Sequence, residues 1–271
     1  MARTLLILAL VAVAAGCGTT KPAAPAAPPP PHAYRVVFPE GFTRSQMAAR
    51  VASVAKIAKR ERHGRAVRLS ATAYLRATRH ATVPCFAPKR WKNLEGLLFP
   101  STYDFIFSTP SAELVQDQIS AFCDNWSQVN LSYARSKNLT DYDVLKIASL
   151  IQGEAVVNSD RPLIAAVIYN RLHLHMTLGI DAALRYALHI PGTKSILESQ
   201  LQNPTPFNLR LHLGLPPTPI DNPGLASLEA AAHPAHVNYL YFVAKPDKRH
   251  SFFTASAAVF QTYLCQHGYG C

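Results

Sequence analysis

One carboxylate, Glu154, stands three residues beyond Ile151, at the end of a stretch from Thr140 in which apolar residues recur at Val144, Ile147, Ala148 and Ile151. That spacing predicts a helix with an apolar stripe, and Thr140 with Asp143 three residues on is a capping-box-like start for it. Glu154 falls next on the stripe, so the helix carries its carboxylate towards a buried or cleft-facing side. Desolvation there disfavours the charged form and raises the pKa, which is how a general acid is made at neutral pH. Taken alone, a Glu at a helix end is more often a solvated surface residue. The acid reading therefore depends on the segments elsewhere in the chain.

After a turn around Asn158 to Arg161 comes Leu163–Leu172, a second apolar helix that ends in Asn170 and Arg171, and then His175-Met-Thr-Leu-Gly-Ile-Asp181. Further on stand Thr205-Pro-Phe-Asn208, the Pro-rich Gly214–Gly224, Tyr239-Leu-Tyr-Phe-Val243 and His250-Ser-Phe-Phe-Thr254. Upstream, Leu94–Phe105 reads Leu-Glu-Gly-Leu-Leu-Phe-Pro-Ser-Thr-Tyr-Asp-Phe. In this order the segments resemble the endolytic murein transglycosylase family, the MltG-type or YceG-like proteins, from about Arg35 to about Thr254. The resemblance implies that Glu154 is the catalytic acid, as the second Glu of an Ala-Ser-Ile-(Val/Ile)-Glu-x-Glu segment. The chain departs from the pattern in four places. The first Glu of that segment is Gln152, the pattern Tyr-Asn-Thr-Tyr is Phe207-Asn-Leu-Arg210, Ser101 replaces an Asp, and a His after the His-x-Phe segment is Val259.

The implied activity is lytic transglycosylation of peptidoglycan. Ordinary glycoside hydrolysis uses two carboxylates, whereas here the C6 hydroxyl of N-acetylmuramic acid is the nucleophile and is already attached to the sugar. One carboxyl then suffices: it protonates the glycosidic oxygen and takes the proton back from the C6 hydroxyl as the 1,6-anhydro ring closes. No cofactor is needed. Asn170 and Asn208 are amides suited to N-acetyl or hydroxyl groups, Asp181 suits positioning of the acid or a sugar, and Arg171 suits an internal partner or a substrate carboxylate. Asn170 and Arg171 are equally explained as a helix C-terminal cap with a cation on the last carbonyls. Tyr241, Phe242 and Phe252 suit either sugar stacking or core packing. Two rival readings stay open: a peptidoglycan-binding scaffold impaired by the departures at Gln152, Leu209 and Val259, and a hydrolase with Asp181 or Glu95 as second carboxylate.

The elements that must position these groups alternate between strand and helix, with helices dominating the middle. That pattern predicts an α+β fold: a LysM-like N-terminal remnant followed by a mixed, helix-rich α+β catalytic domain. Tyr34–Gly41 reads as a strand and turn, with a helix from Thr43 to about Lys59. The resemblance places a LysM-like region here, of which this chain is expected to keep the latter part. One helix is expected from Ser111 to Ala134, and Tyr239–Val243 is the clearest strand. The expected organisation is a signal or lipobox segment (1–17), a Pro/Ala-rich tether (18–32), the LysM-like region (33–92), the catalytic region (93–260) and a Cys-containing tail (261–271).

Composition fits an exported protein. The 271 residues, 49% hydrophobic, are enough for one core or two small ones. The net charge of +11, from 27 Lys and Arg against 16 Asp and Glu, suits an anionic partner. The basic residues are scattered without a nucleic-acid-binding motif, so phospholipid headgroups and muropeptide carboxylates fit better than nucleic acid. Arg3 precedes the apolar run Leu5–Gly16, short for a transmembrane helix, and Ala14-Ala-Gly-Cys17 looks like a lipobox with Ala at the usual Leu position. The alternative is a single-pass helical anchor. Either places the body in the periplasm, with the inner membrane favoured by family habit and the cell-wall synthesis machinery as a candidate partner. With Cys17 assigned to lipid, Cys85, Cys123, Cys265 and Cys271 form an even set in an oxidising compartment. Proximity favours Cys85 with Cys123 and Cys265 with Cys271, though three connectivities are possible. The eleven histidines show no zinc-ligand spacing, so no metal is expected. If Cys17 is acylated, labelled palmitate enters the wild-type protein and not Cys17→Ala, and label surviving the substitution refutes the lipobox.

Overall fold

The computed structural model describes residues 32–87 and 90–269. The leader, Cys17, the tether up to residue 31 and Cys271 lie outside them. From Ala33 onwards the chain forms one compact unit.

Strand β1 (Tyr34–Val37) leads through a turn into helix α1 (Arg44–Glu61) and helix α2 (Ala71–Ala77). The chain returns through the short pair β2 (Ala81–Thr82) and β3 (Arg90–Trp91) to β4 (Thr102–Phe105). β1 and β4 pair antiparallel, with Val36 opposite Tyr103. Thr43 caps α1 as its sequence suggests: its hydroxyl accepts the Gln46 N–H, and the Gln46 side chain accepts the Thr43 N–H. Met47 and Val51 from α1, Tyr74 from α2 and Phe38 are buried in one core with Val36 and Tyr103 of this strand pair. The buried Tyr74 hydroxyl donates to Gln118 at 2.5 Å, so its one polar group is satisfied.

Gln118 belongs to α3 (Ser111–Trp126), which is followed by the separate short helix α4 (Ser132–Ser136). The single helix expected from Ser111 to Ala134 is thus broken after Trp126. The cause is local: the Asn130 side chain accepts the Ser132 N–H and the Ser127 hydroxyl donates to the Asp124 carbonyl, bonds that compete with continued helix. Beside α3, the Cys85–Cys123 disulfide joins the loop after β2 to the helix over a cluster of Phe86, Trp91, Phe122 and Trp126. Cys265 is also disulfide-bonded.

The remaining elements are α5 (Asp141–Glu154), a 3-10 turn (Asn158–Asp160), α6 (Arg161–His173), α7 (Asp181–Leu188), α8 (Glu198–Leu201), α9 (Leu225–Ala232), the hairpin β5 (Tyr241–Ala244) and β6 (Ser251–Thr254), and α10 (Ala257–Gln266). The expected strand from Tyr239 begins two residues later. The Thr140 and Asp143 capping box of α5 is present. Helices α5, α6 and α9 pack on one another, and the small side chains Ala230, Ala231 and Ala232 of α9 permit close approach. Val144, Ile147, Ala148 and Ile151 are all buried, as are Leu145 and Leu150, so α5 is enclosed on more than its predicted stripe. The architecture is mixed α and β with helices dominant. Among the described residues no helix is long and apolar enough to cross a membrane.

Two segments join the halves. Gly96 has φ +87°, and a Cβ there would stand 2.7 Å from Pro219, so the turn after Glu95 can meet the Pro-rich segment only as glycine. Asn222 does the rest with hydrogen bonds. Its Oδ1 accepts the Leu98 N–H at 2.9 Å, and its Nδ2 donates to the Phe42 carbonyl at 2.9 Å and to Glu95 at 3.0 Å. Its backbone exchanges two further bonds with Gly41 and Phe42. Replacing both Cys85 and Cys123 by Ala is expected to cost about 2–4 kcal/mol, read as a lower urea midpoint. An unchanged midpoint would show that the aromatic cluster alone fixes α3.

Candidate active site

Helix α5 ends on Gln152, Gly153 and Glu154, and these three residues face different neighbours. A Cβ on Gly153 would lie 2.9 Å from the Ala182 Cβ, so the missing side chain lets the start of α7 approach the end of α5. The Ala182 N–H, one of the first-turn donors without an intrahelical partner, acts on the Glu154 carboxyl and favours its ionised form. Glu154 keeps part of its surface exposed, yet the protein around the carboxyl desolvates it strongly. Desolvation raises its pKa to about 7, helped by the Asp181 carboxylate and opposed by the Ala182 N–H and the charges of Arg185 and Arg210. Asp181 is held in a two-point pair with Arg210, at 2.7 and 3.0 Å. Arg185 is fixed by bonds to the Pro191 and Lys194 carbonyls.

Behind this front lies a buried polar network. The Gln152 Oε1 accepts from the Ser227 hydroxyl at 2.8 Å, the Gly224 N–H at 3.2 Å and Arg161 at 3.3 Å. Arg161 is itself buried, bonds Asn158 and Ser227, and lies 3.8 Å from Glu40. Glu95 is buried and accepts from the Arg44 N–H, the Asn222 amide and the Tyr186 hydroxyl. Desolvation outweighs these donors and raises its pKa to about 7. Asp221 is buried beside Gly41 and Gly153, and its Oδ1 has no hydrogen-bond partner among the described residues. Burial, reinforced by Glu95 and opposed by Arg161, pushes its carboxyl well above the usual range.

A family model described as the YceG-like family matches residues 23–263. The chain belongs to that family. It is 32% identical over 236 residues to the endolytic murein transglycosylase of Streptococcus pneumoniae R6, covering 80% of this chain and 41% of that protein. To the protein of the same name from Bacillus subtilis 168 it is 32% identical over 219 residues, covering 79% of this chain and 60% of the relative. The chain thus spans between 41% and 60% of the length of these relatives. A crystal structure of a putative yceG-like protein from Listeria monocytogenes superposes with a TM-score of 0.70 at 26% identity, over 84% of this chain and 75% of that one.

Within this YceG-like chain, the residues singled out by sequence separate into two groups. Glu154 and Asp181 come together at the meeting of α5 and α7. Asn170, Arg171 and Asn208 are instead committed to backbone. Asn170 donates to the Val237 and Tyr239 carbonyls, tying α6 to the segment before β5. Arg171 donates to the Leu240, Thr177 and Leu178 carbonyls, and Asn208 is buried with its amide on the Leu201 and Asn203 carbonyls. These three side chains hold the loops around α6, α7 and the approach to β5 in place. The aromatic candidates likewise stack on protein: Phe252 on Tyr263, Tyr241 on Phe260 and Phe242 on Phe253. Val259 is exposed on α10. A cavity of about 570 Å³ lined by Tyr133, Tyr169, Asn170 and His236 shares no residue with the Glu154 surroundings, so chemistry rather than concavity locates the site.

Sequence reading missed Asp221, Asn222, Arg161 and Arg185. An acid beside an amide inside a Pro-rich apolar segment was the available signal for the first two. Asp221 and Glu95 bind protons in the folded state at pH values where the unfolded chain has released them, so stability falls as pH rises from the usual carboxyl range through the raised values. Asn imitates the protonated form of Asp221. Asp221→Asn is therefore expected to melt higher than wild type at pH 8, with the gain shrinking towards pH 4, and a variant that melts lower at pH 8 would show that the ionised carboxylate is required.

Proposed function

We propose that this chain is an endolytic lytic transglycosylase that cleaves peptidoglycan glycan strands and leaves 1,6-anhydro-N-acetylmuramic acid ends. The observation that carries the reading is Glu154, a residue that keeps part of its surface exposed while desolvation raises its carboxyl pKa to about 7. A neutral-pH acid of this kind donates a proton to the glycosidic oxygen, and the resulting carboxylate accepts one from the C6 hydroxyl as the anhydro ring closes. The names of the pneumococcal and Bacillus relatives support the substrate class.

The competing hydrolase needs a second carboxylate free to activate water. Asp181 has both oxygens engaged by Arg210, and Glu95 is buried behind three donors. Neither is placed to serve as that base, which favours the intramolecular hydroxyl. The scaffold reading rests on Gln152, Leu209 and Val259, but Gln152 faces Arg161 and Ser227 rather than the reacting carboxyl, Leu209 is buried in the core and Val259 is exposed on α10. The exchange of Glu for Gln152 alters a supporting network and leaves the acid in place. The β1, α1, α2 and β4 arrangement supports a LysM-like role in holding the strand, with an N-terminal lipid or helix anchoring the protein to the envelope, the inner membrane in preference, and its catalytic part in the periplasm.

Glu154→Gln keeps shape and hydrogen bonding but cannot exchange a proton. Turnover of purified strands is expected to fall ~10²–10⁴-fold with folding and strand binding retained. Because the acid must start protonated, wild-type kcat/KM should decline as pH rises above about 7. Mass spectrometry reads the ends: anhydromuramyl termini support the proposal, and reducing termini or near-normal turnover by Glu154→Gln refute it.

A further inference from the structure

Arg210 stands where the sequence resemblance places a Tyr, and the fold brings it to Glu154. Its Nε and Nη2 are bound to Asp181 at 2.7 and 3.0 Å, which fixes the plane of the guanidinium. No hydrogen bond engages Nη1 among the described residues, and the Arg210 side chain is 46% exposed. Its charge acts on Glu154, with Glu198 as a further acidic neighbour beyond Asp181. The other cation of the site, Arg185, spends its Nη1 on two carbonyls. Arg210 is thus a cation whose orientation is already set and whose free edge carries two N–H donors.

We propose that the Arg210 Nη1 edge, held by Asp181, is a carboxylate-recognising subsite beside Glu154. Its ligand is a carboxylate of the strand itself, either the lactyl carboxylate of a peptide-free muramyl residue or a carboxylate of a stem peptide. The inference rests on the transglycosylase reading above. Guanidinium can serve two carboxylates at once because its donors fan out in one plane, and Asp181 removes the rotamer freedom that binding would otherwise cost. A Tyr at this position offers one neutral hydroxyl and no charge, so the preference belongs to this chain. An arriving carboxylate also raises the pKa of a neighbouring acid, which favours the protonated Glu154 that the first step needs.

The test compares wild type with Arg210→Gln, Arg210→Lys and Arg210→Tyr on three substrates: peptide-bearing strands, amidase-stripped strands, and stripped strands whose lactyl carboxylates are methyl esters. Arg210→Gln is expected to raise KM roughly tenfold to a hundredfold, the loss of a charged hydrogen bond, on strands carrying the recognised carboxylate. On the esters KM should be unchanged, any change in kcat from losing the Arg210 charge beside Glu154 should be the same on acids and esters, and Lys should restore part of the KM loss. A KM effect on stripped strands identifies the lactyl group, and one confined to peptide-bearing strands identifies the stem. Equal KM losses on esters and acids, a fall in kcat alone, or no change would overturn the subsite. Calorimetry with Glu154→Gln and Glu154→Gln/Arg210→Gln reads binding without turnover. Loss of the affinity difference between acid and ester strands in the double variant supports the subsite even if the wild-type products refute transglycosylation, and an unaltered difference rejects it whatever the products are.

Discussion

The Asn222 amide is the interaction on which the placement of everything else depends. It is fully buried, and it bonds partners 124 to 180 positions away in sequence: Leu98, Glu95 and Phe42. Water cannot replace any of these partners, so each bond lost would leave a donor or acceptor desolvated and unpaired. The two halves of the chain are consequently held at one register. That register brings Gly96 against Pro219, Gly41 against Gln152 and Glu95 against Tyr186. A looser junction would move the wall behind α5 and with it the dielectric around Glu154.

The acids near this junction differ in the chemistry open to them because they differ in what surrounds them. Desolvation raises Glu95, Asp221 and Glu154 alike. Glu95 is buried with three donors, Asp221 is buried with no donor to Oδ1 among the described residues, and Asp181 has a cation on both oxygens. Glu154 alone of these combines strong desolvation with a residue surface that is partly exposed. A carboxyl in that state can give a proton up and take it back at little cost either way, which is the condition for serving as acid and base in one cycle. The other three supply field and support.

Local features were legible in the sequence and long-range pairings were not. The caps at Thr43 and Thr140, the stripe of α5, the place of Glu154 at its end and the Cys85 with Cys123 pairing all follow from spacing over a few turns or from proximity. The break after Trp126 escaped because apolar residues continue past it while Ser127 and Asn130 divert the backbone. Asn170, Arg171 and Asn208 looked like ligand-binding groups because amides and guanidinium suit sugars. What their types cannot reveal is that carbonyls of the β5 approach, some 67 to 69 positions on for Asn170 and Arg171, arrive to take their donors. Arg210 could be marked only as a departure until the fold set it against Asp181.

The departure at Gln152 becomes intelligible in the same terms. Residues two apart on a helix point to different sides, and here Glu154 turns to Ala182 while Gln152 turns to Arg161, Ser227 and Gly224. All three contacts are donors to one oxygen, so an amide satisfies them as a carboxylate would. The difference is charge. A Glu at 152 would balance Arg161 directly, yet it would add an anion to a region already holding Glu40, Glu95 and Asp221. With Gln, Arg161 is balanced by Glu40 at 3.8 Å and by whatever charge Asp221 bears. The elevated pKa of Glu154 then owes most to desolvation and next to nothing to its helix neighbour, so the acid is poised by packing rather than by repulsion within α5.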